Sequence, residues 1–202
     1  MDLFQAIIAI KRGEVIVFPT ETLYGLGADA LNDKAVEKVF QLKARDPHNP
    51  IPVLIADQEM LHRLVAEISP TAEMLMQIFW PGALTIVLPA HADLPKPLLN
   101  STGGVGVRVS SQPIANQLVK DLGRPLTATS ANPSGLQAAS TVQQAKSYFA
   151  EEIDIFIDGG KLPSKIGSTV IEIIEDKIKI IREGKISALK LRHAMSRRTS
   201  HH

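Results

Sequence analysis

The chain has 202 residues, 45% of them hydrophobic, which suits one domain with a sizeable core rather than several domains. Its 22 basic and 21 acidic residues give a net charge of +1, which argues against a protein that binds nucleic acid mainly through the phosphates. The absence of cysteine excludes disulfides, zinc–thiolate sites and thiol nucleophiles, and it favours a reducing, cytoplasmic location.

No apolar run approaches the length of a membrane span, and residues 1–5 lack the basic start of a signal peptide. We therefore expect no membrane partner.

The first half of the chain alternates helix and strand patterns. Residues 2–12 predict an amphipathic helix that ends at Gly13, and residues 15–18 predict a buried strand that ends at Pro19. The two glycines within residues 20–27 predict a loop. The next predicted elements are a helix over 33–43 capped by Asn32, a strand over 53–55, helices capped by Asp57 and Ser69, and a strand over 84–88.

The second half continues the alternation and adds a hairpin. In residues 105–110, valines alternate with Gly106, Arg108 and Ser110, which predicts a strand with one apolar face. The remaining predicted elements are a helix from Pro113 to Leu122, short strands over 126–129 and 153–157, a helix from Thr141 to Phe149, a hairpin of 170–174 with 178–182, and a helix from Ser187. Short helices between strands predict an α/β fold, and the late hairpin predicts a mixed sheet.

Two pairs of polar residues stand next to predicted sheet elements, Lys43 with Arg45 and Ser130 with Asn132. In an extended segment, residues two apart point to the same side, so each pair is expected to aim both groups at one point. Two cations with a hydroxyl and an amide suit a phosphate-bearing ligand. Two structural alternatives stay open, namely cations at a helix C-terminus and an Asx-type turn before Pro133.

Arg108 and Thr22 are further candidates for a ligand site. An arginine on a sheet is costly unless it is paired or faces a cavity, so Arg108 is either an anion ligand or a surface or salt-bridged residue. Thr22 follows a buried strand, where α/β sheets bind ligands, or it caps a turn. The sequence has no P-loop, no metal-ligand spacing and no Ser-His-Asp set, so any nucleotide would be held by another route.

Seven short segments together resemble a known family. They are FPTETLYGLG at 18–27, KAR at 43–45, WPGALT at 80–85, GVRV at 106–109, TSANPSG at 129–135, GSTV at 167–170 and IREG at 181–184. In this order, over residues 5–187, they resemble the YrdC/TsaC family of threonylcarbamoyl-AMP synthases. The resemblance implies a twisted, open, mixed α/β sheet with flanking helices around a large cavity.

The resemblance also implies a nucleotidyl transfer. L-threonine, bicarbonate or carbon dioxide, and ATP would give threonylcarbamoyl-AMP and pyrophosphate, and a separate transferase would use the product to modify tRNA. Mg²⁺ is expected with ATP, and no tightly bound cofactor is expected. The motifs imply a threonine site of Thr22, Arg108 and Ser168. They imply an ATP site of Lys43, Arg45, Asn49, Ser130, Asn132 and Arg182, in which Lys43 and Arg45 stabilise charge and no residue is assigned as an acid or base.

The chain departs from the family pattern at Asp46, Leu54 and Gly104, where many relatives have proline, histidine and threonine. Two other functions remain open: a relative that forms a carbamoyl-adenylate from another carbamoyl source, and an RNA-binding module with the same fold. We interpret residues 1–187 as the catalytic domain and 188–202 as a basic helix or tail. Weak RNA binding is the alternative to a solvated terminus there.

Overall fold

The structure is a computed structural model that describes residues 3–164 and 166–199, the last three by their backbone alone. The end of the predicted tail, residues 200–202, lies outside the described residues. The helices over the described residues are α1 Leu3–Lys11, α2 Asp33–Lys43, α3 Gln58–His62, α4 Pro70–Phe79, α5 Pro113–Leu122, α6 Val142–Phe149 and α7 Ala188–Thr199. None of these helices is long and apolar enough to cross a membrane.

The strands are β1 Ile16–Pro19, β2 Tyr24–Gly27, β3 Val53–Leu54, β4 Leu84–Pro89, β5 Gly104–Arg108, β6 Leu126–Thr127, β7 Thr129–Ser130, β8 Thr169–Ile174 and β9 Lys177–Arg182. They form two hydrogen-bonded sheets, one in the order β1-β2-β7 and the other in the order β6-β3-β5-β4-β8-β9. In the larger sheet, β3 is parallel to β5 and β4 is parallel to β8, while the other pairs are antiparallel. The predicted mixed α/β fold is confirmed.

The helix boundaries follow the caps that the sequence predicts. Asn32, Asp57, Ser69 and Thr141 each accept a hydrogen bond from a backbone N–H in the first turn of the helix that follows. Gly123 ends α5 in a left-handed conformation with φ of 67°, which glycine adopts without strain.

Two segments differ from the prediction. Residues 24–27 were expected in a loop but form β2, which pairs with β1 on one side and with β7 on the other. Here the cross-strand pairing outweighs the loop preference of Gly25 and Gly27, and both glycines lie against the ring of Phe18. The predicted strand over 153–157 is wrong as a regular strand, because it makes only a single parallel bridge from Phe156 to Val17.

The basic C-terminal segment packs on the domain through α7. Leu191 and Ala194 are buried in the main hydrophobic cluster, and the Lys190 ammonium lies 5.9 Å from the centre of the Phe79 ring on α4. Residues 188–196 are therefore docked and not a free tail, while Arg192 and His193 remain exposed.

Candidate functional site

A cavity of about 470 Å³ lies between the two sheets. One wall comes from β2, β7 and the turn between β1 and β2, and the opposite wall comes from β4, β5, β8 and β9. The polar side chains on its surface are those of Thr20, Thr22, Tyr24, Arg45, Asn49, Thr85, Asn100, Arg108, Thr129, Ser130, Ser168, Arg182 and Glu183. A space of this size is typical of a small-ligand site.

The structure brings most of the predicted site residues to this one cavity. Those on its surface are Thr22, Arg45, Asn49, Arg108, Ser130, Ser168 and Arg182. Lys43 and Asn132 are not on the cavity surface, although they lie directly behind it and contact each other. Segments distant in the sequence therefore meet around one cavity, with Lys43 and Asn132 in the layer behind its surface.

Arg108 occupies the end of β5 and is buried, with 3% of its surface exposed. Its Nη1 donates a hydrogen bond to Oε1 of Glu21, and Oε2 of Glu21 accepts one from the hydroxyl of Ser110. The Nε of Arg108 is buried and has no hydrogen-bond partner among the described residues. Burial, followed by the charge of Arg182, lowers the pKa of Arg108 to about 10, so the guanidinium stays charged at neutral pH. Arg108 is thus salt-bridged and lies on the cavity surface, and it is not the solvent-exposed residue that its sequence context also allowed.

Arg45 and Arg182 form a second group of cations on the cavity surface. The Arg45 side chain donates to the carbonyls of Asn49 and Pro50, at 2.7 and 3.3 Å. Arg182 donates to the carbonyl of Ser168 from Nη2 at 2.9 Å. Burial, followed by the charge of Arg182, lowers the pKa of Arg45, which indicates that the two guanidinium groups repel each other across the cavity. This concentration of positive charge favours a polyanion.

The Lys43 ammonium ties the end of α2 to the loop after β7. It donates to the backbone carbonyls of Ser130 and Asn132, at 2.5 and 2.6 Å, and the side chain is 1% exposed. In the opposite direction, the N–H of Ser134 donates to the carbonyl of Lys43 at 2.8 Å. Lys43 and Arg45 do not lie in an extended segment as expected, because α2 continues to Lys43 and Ala44 is left-handed with φ of 46°. The two residues consequently point to different partners.

Hydroxyl groups line the cavity between the arginines. The side-chain oxygens of Thr85 and Ser168 are 2.9 Å apart, and this hydrogen bond links β4 to the residue that precedes β8. Across the cavity, the hydroxyls of Thr20 and Thr22 are 3.0 Å apart within the turn between β1 and β2. Such hydroxyls accept or donate as a ligand requires, because their protons rotate.

The cavity face of β5 carries Gly104, Gly106 and Arg108, which confirms the alternation predicted for this strand. A Cβ at Gly104 would lie 2.7 Å from Cγ1 of Val87, so a threonine there would require Val87 to move. The departure at Leu54 does not reach the cavity surface, since Leu54 is 1% exposed in β3.

Sequence reasoning missed two residues that matter for this geometry. Thr85 had a weak signal, because it is the one hydroxyl in the apolar strand 84–88. Glu21 stood inside a quoted motif without a role, and its pairing with Arg108 joins residues 87 positions apart, which no local pattern reports.

The described residues contain no group of three or more His, Asp or Glu side chains that could hold a metal ion. The carboxylate on the cavity surface is Glu183, which accepts a hydrogen bond from the N–H of Ala188 at the start of α7.

Comparisons with known proteins show which family this chain resembles. Residues 8–184 match the model of the Sua5, YciO and YrdC family, which is described as "Telomere recombination". The threonylcarbamoyl-AMP synthase of Pyrococcus abyssi is 39% identical over 175 residues, which is 87% of this chain and 52% of that protein. The chain thus spans about half the length of this relative.

Two solved structures share the fold. The crystal structure of P. abyssi Sua5 complexed with L-threonine superposes with a TM-score of 0.91 at 36% identity, covering 96% of this chain and 58% of that one. The crystal structure of E. coli YciO gives a TM-score of 0.82 at 29% identity, covering 91% and 89% of the two chains. Because the family model covers most of the sequence and the fold agrees over nearly all of it, this chain belongs to the Sua5/YciO/YrdC family.

Proposed function

We propose that this chain is a threonylcarbamoyl-AMP synthase, a nucleotidyltransferase that converts L-threonine, bicarbonate or carbon dioxide, and ATP into threonylcarbamoyl-AMP and pyrophosphate. The observation that carries the proposal is that one cavity holds both a salt-bridged arginine and two arginines without a salt bridge in the described part of the chain. Arg108 is held by a carboxylate at one end, and Arg45 and Arg182 make no ion pair within the described residues. The naming of the P. abyssi relative and the threonine bound to P. abyssi Sua5 support the same activity.

The amino-acid end of the proposed site centres on Arg108. Its remaining guanidinium donors suit the carboxylate of threonine, because a charge-assisted hydrogen bond between these groups is strong in a buried setting. Thr22 and Ser168 supply hydroxyls on either side, and Thr85 fixes the Ser168 hydroxyl. These groups would orient the amine of threonine toward the centre of the cavity.

The nucleotide end uses Arg45, Asn49, Ser130 and Arg182 on the cavity surface. The two arginines would neutralise the phosphates of ATP, which Mg²⁺ accompanies as part of the substrate. We propose that Lys43 and Asn132 act from behind, because the Lys43 ammonium holds the carbonyls of Ser130 and Asn132 and so fixes the position of the Ser130 side chain.

The chemistry then requires positioning and charge neutralisation. The unprotonated amine of threonine attacks the carbon of carbon dioxide or bicarbonate and gives a carbamate, with release of a proton or of water. A carbamate oxygen attacks the α-phosphorus of ATP, the bond to the bridging oxygen of the β-phosphate breaks, and pyrophosphate leaves. No covalent enzyme intermediate is needed, and the cations stabilise the charge that develops on the leaving group.

Pyrophosphate release from ATP, with threonine and bicarbonate each present or omitted, tests the proposal. Release that needs both substrates is the expected result. Release with carbamoyl phosphate in place of threonine would instead favour a carbamoyl-adenylate enzyme. No turnover together with salt-sensitive RNA binding would favour an RNA-binding module.

The biological setting is proposed on the same basis. The product would pass to a separate transferase that modifies tRNA adenosine in the cytoplasm. Addition of that transferase and unmodified tRNA to the assay should yield threonylcarbamoyl-adenosine, which mass spectrometry of digested tRNA detects. Absence of the modified nucleoside, despite formation of the adenylate, would contradict this placement.

A further inference from the structure

The buried carboxylate of Glu21 has no part in the proposed chemistry, yet it contacts the central residue of the amino-acid end. Its side chain is 9% exposed, and its two oxygens accept hydrogen bonds from Arg108 and Ser110. Arg108 lies on the cavity surface and Glu21 does not, so the carboxylate stands behind the guanidinium and not between it and a ligand. Glu21 therefore does not block the access of a ligand to Arg108.

The turn that carries Glu21 is firmly held. The Thr20 hydroxyl donates to the carbonyl of Leu23 at 2.7 Å and accepts from the N–H of Thr22 at 3.2 Å. The Lys185 ammonium, just past β9, donates to the backbone carbonyl of Glu21 at 3.1 Å. The carboxylate is thus fixed in place relative to both walls of the cavity.

The other two arginines of the cavity differ from Arg108 in this respect. Neither Arg45 nor Arg182 has an ion-pair partner in the described part of the chain, and Arg182 lies close enough to influence both Arg45 and Arg108 electrostatically. Without Glu21, the three guanidinium groups would form one continuous cationic surface in a cavity of about 470 Å³. Such a surface would attract phosphates along its whole length.

We propose that Glu21 divides the cavity into two charge zones, so that the Arg108 end accepts a zwitterionic amino acid and the phosphates are confined to Arg45 and Arg182. Glu21 is then a specificity-determining residue, and the identity of the two ligands rests on the proposed function. Because Glu21 offsets the charge of Arg108, a polyanion gains little binding free energy at that end. The affinity for a zwitterion, which has no net charge, depends little on this offset. Arg108 lies on the cavity surface and its Nε has no partner among the described residues, so its guanidinium keeps donor capacity for the carboxylate of the amino acid.

The test is to measure binding of inorganic pyrophosphate and of L-threonine to the full chain by calorimetry, before and after Glu21→Gln. Glutamine keeps the shape and hydrogen-bonding capacity of the side chain and removes only its charge. We expect pyrophosphate, with a charge of about −3, to bind roughly tenfold tighter, and threonine to change by less than about threefold. Glu73→Gln, on the exposed face of α4, removes the same charge at a distance and should leave both affinities unchanged.

The double variant Glu21→Gln with Arg108→Gln removes both charges of the pair and avoids a buried unpaired cation, so it keeps the test open if the single variant is unstable. Its pyrophosphate affinity should return to within about threefold of the wild-type value. The proposal would be overturned if Glu21→Gln left pyrophosphate affinity unchanged, weakened it or abolished binding. Equal tightening of both ligands would also overturn it, because that result marks Glu21 as a competitor for the site.

The same measurements separate this inference from the proposed function. Failure of the wild-type protein to bind threonine would refute the proposed function, while the response of pyrophosphate to Glu21→Gln would still report on the charge zones.

Discussion

From the burial of the Lys43 ammonium we predict that Lys43 adds to the free energy of unfolding as the pH rises. Lys43→Met should remove this contribution. Burial, followed by the charge of Arg45, lowers the pKa of Lys43 from 10.5 to about 7 in the folded protein. The unfolded chain keeps the ordinary lysine pKa, so between these two values it binds more protons than the folded chain. Stability therefore increases from about pH 7 toward about pH 10, where the lysine is neutral in the fold.

The size of the rise follows from two opposing effects. A pKa lowered from 10.5 to about 7 corresponds to roughly 5 kcal/mol between the limits of the window. The carbonyls of Ser130 and Asn132 favour the charged form, and hydrogen bonds from a charged donor contribute about 1.5–3 kcal/mol each. We therefore expect a rise of about 2–4 kcal/mol attributable to Lys43.

Methionine at this position removes both the buried charge and the hydrogen bonds. The carbonyl of Ser130 keeps the N–H of Asn132 as a donor, at 3.0 Å, so the carbonyl of Asn132 bears most of the loss. Because relief of the buried charge offsets this loss at neutral pH, the variant should lie within about 2 kcal/mol of the wild type there. At about pH 10, where no charge remains to be relieved, it should be clearly less stable.

Urea unfolding of both proteins between about pH 7 and about pH 10 measures the difference in their free energies of unfolding. The difference, wild type minus variant, should grow with pH. Lys34→Met serves as the matched control, because Lys34 is exposed on the same helix and its replacement should give a flat difference. A flat or falling difference for Lys43→Met would refute the argument from burial.

Four other substitutions, the last of them a control for the third, have defined outcomes. Arg108→Ala should lower threonine-dependent pyrophosphate release at least about 100-fold, and near-normal threonine affinity by calorimetry would contradict its assigned role. Thr85→Val removes the hydroxyl bonded to Ser168 and should raise the KM for threonine about 3- to 10-fold with the KM for ATP within about twofold; an equal change in both would count against a local role. Gly184→Ala places a Cβ 2.4 Å from the carbonyl oxygen of Gly167 and should destabilise the protein by about 2–4 kcal/mol in urea unfolding. Gly123→Ala, with no atom within 4 Å but φ of +67°, should cost only about 1 kcal/mol, and equal losses for the two glycines would show that the contact at Gly184 is unimportant.

Local signals predicted most of the helices and the site-bearing strand. The cap residues Asn32 and Thr141 act within four residues of their partners, so the sequence contains the whole interaction. The alternation through β5 placed Gly106 and Arg108 on one face before the sheet was known.

Interactions across the fold were beyond such reasoning. The assignment of 24–27 to a loop failed because Gly25 and Gly27 also suit a strand that packs closely on an aromatic ring. The expected direction of Lys43 failed because Lys43 still belongs to the predicted helix, so it and Arg45 do not form an extended pair. Its carbonyl partners are 87 and 89 positions away, which no local pattern reports. The residues that the resemblance grouped lie around one cavity in the structure, but the motifs do not separate the cavity surface from the layer behind it, where Lys43 and Asn132 lie.

Because the cavity walls belong to two different sheets, binding of a ligand should change the stability of the fold. β7 pairs with β2 over two residues only, so the amide hydrogens of this short strand should exchange with solvent more readily than those of β4 and β5. A ligand that contacts both walls links the sheets and stabilises the folded state by mass action. Protection of β2 and β7 in hydrogen exchange, together with an upward shift in Tm, would therefore report binding of non-reacting analogues that no turnover assay detects.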